Sequence, residues 1–143
     1  MNTYGQRQYQ HTQITTVDRG RLIVLLYEGA IKFLRQARDC SEAGDLEGKS
    51  NNINKALDII NELNQSLNMT EGGDLAQNLR RLYLFMSDYL LKGKIKKDLH
   101  YIDDVLRMLT SLNSAWNEVV SRPEAQEAVQ KNEKKNVRAQ VTV

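Results

Sequence analysis

Apolar residues recur at three- and four-residue spacing in four long stretches of the chain, separated by polar or glycine-containing segments. The most apolar stretch opens with six residues in a row, Leu22 to Tyr27, and continues through Ala30, Ile31, Phe33 and Leu34. A helix packed on one side alternates apolar with polar positions, so this run predicts a helix covered on two faces or more. The cover can come from other helices of the same fold, from a neighbouring segment, or from a partner chain.

The spacing predicts a first helix over 19–43, with Asp18 as its N-cap. Leu22, Leu26, Ala30, Phe33 and Ala37 mark one face, and Ile23, Tyr27, Ile31 and Leu34 form a row beside it. Gly29 lies mid-helix, where it costs about 1 kcal/mol relative to alanine, and is either tolerated or there for close approach of another backbone. Gly44 and Asp45 then supply a C-cap and the next N-cap. A second helix over 46–68 puts Ile53, Ala56, Leu57, Ile60, Leu63 and Leu67 on one stripe, widened by Ile59, opposite an asparagine-rich face. Thr70 to Gly73 make a tight connection, with Asp74 as the following cap.

The third helix, over 75–92, is apolar nearly all round through Leu82, Tyr83, Leu84, Phe85, Met86, Tyr89, Leu90 and Leu91. A four-helix core asks for roughly three positions in seven. Some of Tyr83, Leu84, Phe85 and Leu91 must therefore face outward or toward a fifth element, which points to a partner groove. Lys92 to Lys97 read as a solvated loop. The fourth helix, over 98–121, carries Leu99, Ile102, Val105, Leu106, Leu109, Leu112, Trp116 and Val119 inward, with Trp116 as an anchor at the end of the core. Pro123 ends it. The expected fold is all-α, an antiparallel four-helix bundle over 18–121. Residues 1–17 precede it as a separate N-terminal segment, and 122–143 contain one short amphipathic helical turn and a disordered tail.

Charge changes this picture little. Lys and Arg number 20 against 18 Asp and Glu, a net charge of +2 that is too balanced to imply nucleic acid as a partner. Cys40 is the only cysteine, no charged-then-apolar leader precedes the first helix, and no apolar run approaches the ~20 residues that span a bilayer. A cytosolic protein without membrane insertion is expected. His11 and His100 are the only histidines, and neither has a metal-binding companion at helical spacing. Nucleophile elbows, glycine-rich phosphate turns and paired-cysteine motifs do not occur, so the expectation is no enzyme, no cofactor and no metal. In the leader, Tyr4, Tyr9 and Ile14 belong either to a loose tail or to a segment lying on exposed apolar surface.

The leader with Tyr4 and Tyr9, the run Leu25-Leu26-Tyr27-Glu28-Gly29-Ala30-Ile31-x-Phe33-Leu34, and Lys55-Ala56-x-x-Ile59-Ile60-x-Glu62-Leu63 form an ordered set. It continues with Gly72-Gly73-x-Leu75-Ala76-x-Asn78-Leu79-x-x-Leu82-Tyr83, Asp98 and Ala115-Trp116. The set resembles the flagellar secretion chaperone FliS family over about residues 4–120. One departure stands at the start of the first helix, where many members carry Ser-Pro followed by Glu-Leu and this chain reads Asp18-Arg19-Gly20-Arg21-Leu22. Arg21 replaces an acid in the first turn, at a cost of roughly a few tenths of a kcal/mol.

The resemblance implies an antiparallel bundle that holds the C-terminal segment of flagellin in the cytosol and delivers it to the flagellar type III export gate. The surplus apolar residues put the flagellin groove at Ile59, Leu63, Leu82, Tyr83, Phe85, Met86, Tyr101 and Met108, and the resemblance implies Tyr4, Tyr9 and Ile14 as a displaceable lid. The rival reading is a helical homodimer whose excess apolar surface is covered by its own copy.

Overall fold

A computed structural model describes residues 16–122. Among them are four helices and no strand: α1 (Thr16–Glu42), α2 (Leu46–Gln65), α3 (Gly73–Ile95) and α4 (His100–Ser121). The all-α bundle expected from the apolar spacing is the fold that forms.

The helix ends follow local hydrogen bonding, and several lie away from the expected positions. α1 already begins at Thr16, which places Asp18 in its first turn rather than at the cap. Gly44 takes φ +76, the left-handed conformation that closes a helix C-terminus. Asp45 then caps α2, its Oδ1 accepting from the Gly48 N–H at 2.9 Å. α2 stops at Gln65, short of the expected 68, because side chains take over its last carbonyls and the turn that follows. The Ser66 hydroxyl donates to the Leu63 carbonyl at 2.7 Å, and Asn68 Oδ1 accepts from the Glu71 N–H at 3.0 Å. α3 starts at Gly73, with Asp74 inside the first turn, where the helix dipole favours an acid. It runs on to Ile95, so Lys92 to Ile95 are helical rather than loop.

The extension of α3 has a packing reason. A Cβ at Gly93 would stand 2.8 Å from the Cβ of Tyr101, so glycine lets the Tyr101 side chain of α4 pack directly on the α3 backbone there. Gly29 differs: a Cβ there would meet only the tip of the Ile59 side chain, at 3.2 Å, and no second backbone comes close.

Contacts gather residues 25–114 into one compact unit. Within it the end of α1 meets the start of α4 through Arg38 and Asp103 at 3.2 Å, and the start of α2 meets the end of α3 through Asn54 and Lys94 at 2.7 Å. Neighbouring helices therefore run antiparallel. Tyr27, Ala30, Ile31, Leu34, Ala37, Ile53, Ala56, Ile60, Leu63, Tyr83, Met86, Leu90, Ile102, Val105 and Leu109 are buried. The Tyr27 and Tyr83 hydroxyls hydrogen-bond to each other inside this core, joining α1 to α3. Lys49 is the buried charged side chain among the described residues, and its Nζ donates to the Lys96 carbonyl at 2.9 Å. The apolar run at 22–27 is buried only in part, since Leu25 lies 61% exposed.

Among the described residues, 16–24 and 115–122 belong to a second unit. There Gly20 faces Val120, whose Cγ2 would stand 2.6 Å from a Cβ at Gly20. Val120 is thus the half-buried position, while Val119, expected to point inward, is exposed.

The two interhelical glycines predict opposite outcomes. Gly93→Ala forces α4 away from α3, and overpacking of about 1–3 kcal/mol outweighs the ~1 kcal/mol gain in helix propensity. Its urea midpoint is expected to fall at unchanged m-value. Gly29→Ala needs only a small shift of the Ile59 tip, so the same urea titration should show stabilisation of up to about 1 kcal/mol.

Candidate functional site

The side of α3 that faces α4 collects aromatic residues. Phe85 and Tyr89, one turn apart, stack with ring centroids 5.1 Å apart. Tyr89 also meets Tyr101 at 4.8 Å and His100 at 5.8 Å, both from the first turn of α4. Phe85 stays 47% exposed, so the cluster shows solvent the face of a ring rather than closing over it.

Polar groups hold the cluster in place. The Tyr89 hydroxyl donates to Asp104 Oδ2 at 2.9 Å, and Arg107 pairs with the other oxygen of that carboxylate. Local loss of solvent, with the Asp104 carboxylate next in importance, raises the Tyr89 phenol above its ordinary pKa. Asp98 accepts from the backbone N–H of His100 at 3.0 Å and pairs with His100 Nδ1 at 2.7 Å. The backbone bond first, and the imidazole second, hold its carboxyl below the usual range. The Lys96 ammonium sits 5.6 Å from the centre of the Tyr101 ring, a cation–π contact that fixes the outer edge of the cluster.

The expected groove residues divide three ways. Leu82, Phe85, Tyr101 and Met108 are exposed or half-buried, and all lie on the α3–α4 side. The antiparallel register set by Gly93 against Tyr101 and Tyr89 against Asp104 brings Met108 about level with Phe85. Leu63, Tyr83 and Met86 lie in the core instead, because α3 turns the 79, 83, 86, 90 row inward. They offer no open surface while the bundle is closed. Ile59 is half-buried on the opposite side, against α1 at Gly29. The lid residues Tyr4, Tyr9 and Ile14 lie outside the described residues.

Tyr89, the hub of the cluster, was absent from the expected groove. The i, i+4 spacing of Phe85 and Tyr89 is the signal that could have found it. Leu84 and Leu91 are half exposed on yet another side of α3.

Such a face can bind apolar segments. No group of three or more His, Cys, Asp or Glu that could hold a metal occurs among the described residues. No described helix is long and apolar enough to cross a membrane.

Comparison with known proteins covers the bundle and the leader together. The family model described as "Flagellar protein FliS" matches residues 1–123. A flagellar secretion chaperone FliS of Vibrio cholerae is 33% identical over 108 residues, 76% of this chain and 79% of the relative. The FliS of Bacillus subtilis is 33% identical over 112 residues, 78% of this chain and 83% of the relative. FliSB of Pseudomonas aeruginosa is 34% identical over 117 residues, 79% of this chain and 93% of the relative. A match that takes in the leader, all four helices and the aromatic face leaves one assignment: the chain belongs to the flagellar protein FliS family.

Proposed function

We propose that the protein is a non-enzymatic export chaperone that holds the C-terminal segment of flagellin in the cytosol and delivers it to the flagellar type III export apparatus. The observation that supports this most is the α3–α4 face. Phe85 stands open there beside the half-buried Leu82, Tyr89, Tyr101 and Met108, on a chain whose relatives bear the name flagellar secretion chaperone. A flagellin terminus that packs into a filament is an amphipathic segment prone to assemble when free. Laying its apolar stripe on a helical surface blocks that assembly, and a long segment ordered on binding gives large contact area at modest net affinity.

In this reading Leu82, Phe85, Tyr89, Tyr101 and Met108 contact the client. Ile59 makes a separate contact on the α1 side, and Leu63, Tyr83 and Met86 act as the floor that keeps those helices in place. Tyr4, Tyr9 and Ile14 form the lid, competing for the same surface until the client displaces them. The export gate then receives the chaperone and client together.

Calorimetric titration with the C-terminal fragment of flagellin from the same organism tests this, with an N-terminal fragment as control. One-to-one binding of the C-terminal fragment alone, with a negative heat-capacity change, is expected. Phe85→Ala should weaken binding about tenfold, ~1.4 kcal/mol, without moving the urea midpoint. Tyr83→Ala should instead cost about 3–5 kcal/mol of stability, as other large core truncations do. Full affinity in Phe85→Ala would remove the α3–α4 face from the reading. Replacing Tyr9 and Ile14 with alanine should tighten client binding by roughly a few-fold, since a competing closed state is lost. Unchanged affinity there would dismiss the lid.

A further inference from the structure

A second row on α3 is untouched by the client reading. Leu84, Leu91 and Ile95 recur at i, i+7 and i+11, which puts them within about 40° of one another around the helix. They are 53%, 50% and 88% exposed. Phe85 and Tyr89 project toward α4, whereas the bond from Lys94 to Asn54 sets this row beside α2. Phe85 and Tyr89 stand roughly 80–160° round the helix from the row, so the two surfaces are different sides of α3.

Charge distinguishes this row from a scatter of exposed leucines, which would need no explanation. Arg80 and Lys94 border it on one side, Arg81 and Lys92 on the other, and Lys97 continues past its end. Asp88 is the only acid between Leu75 and Lys97, and Lys92 pairs with it at 3.1 Å. The adjoining edge of α2 presents the uncharged amides of Asn54 and Asn61, with Asp58 farther round.

We propose that this row is a docking surface for an acidic amphipathic helix of a second protein, bound alongside the client and not in its place. The row spans about 16 Å, the length of three helical turns, and its spacing matches the apolar seam of a helix laid along it. Cations on both borders complement acids flanking that seam. A second copy of this chain is disfavoured, because an isologous pairing would set Arg80, Arg81, Lys92, Lys94 and Lys97 against the same five groups.

The test uses the full chain and two synthetic 18-residue helical peptides. Each has leucines at seam positions, flanked by glutamates in one and by lysines in the other. Fluorescence anisotropy and amide shift mapping on isotope-labelled protein read the outcome. The acidic peptide is expected to bind, more weakly as salt rises, and to shift amides around Leu84, Leu91 and Ile95. Leu91→Ser and Arg80→Glu, both at exposed positions, should each weaken it at least tenfold and leave flagellin-fragment affinity unchanged. Saturation with that fragment should leave peptide binding intact. Equal binding of both peptides, no binding of either, shifts centred on Phe85 and Tyr101, or a dimer that Leu91→Ser dissociates would each overturn the proposal.

Discussion

Two phenols meeting hydroxyl to hydroxyl inside an apolar core constrain everything packed round them. Tyr27 and Tyr83 are buried, and burial pushes the Tyr83 phenol far above its ordinary pKa, so that side chain stays neutral. A buried hydroxyl that loses its partner costs about 1–3 kcal/mol, so α1 and α3 are held at the one level where the two rings meet. The other contacts agree with that level. Ile59 approaches Gly29 one turn-fraction beyond Tyr27, and Tyr101 approaches Gly93 nearly three turns beyond Tyr83.

α3 pays for this arrangement with surface. Ala76, Leu79, Tyr83, Met86, Leu90 and Gly93 fill its inward side, and a helix has room for only one such side in a bundle of four. Phe85 and Tyr89 are left to lean on α4, and Leu84, Leu91 and Ile95 to face out beside α2. None of these residues is fully buried. Binding surfaces of this kind can therefore change without unfolding the scaffold, since the neighbouring positions that hold the bundle together are different ones.

The bundle was legible in the sequence because the periodicity of α2 and α4 is clean, and their stripes are buried or half-buried almost as spaced. α3 was harder for a physical reason. When five consecutive residues, Leu82 to Met86, are all apolar, periodicity cannot say which of them turns inward, and 100° separates each from the next. Tyr83 and Met86 went to the core and Phe85 to the surface, a distinction set by the tyrosine pair across the bundle rather than by local pattern. The end of α3 was missed likewise. Lysines around a glycine look like a loop, yet the glycine serves the helix, because its missing side chain is what admits Tyr101. For α1, the six-residue run suggested cover on two faces, and only Val24 and Tyr27 of it are buried.

The bond from Lys49 to the carbonyl of Lys96 ties together two points 47 residues apart in the chain. The α2–α3 hairpin is connected through 66–72 at one end, and this bond fastens the other. Fraying from that free end would have to release a buried ammonium and expose the last turn of α3 in the same event. Opening there becomes all-or-none instead of gradual. A hairpin fastened at both ends in this way offers a partner a surface that has little conformational entropy of its own left to lose on binding.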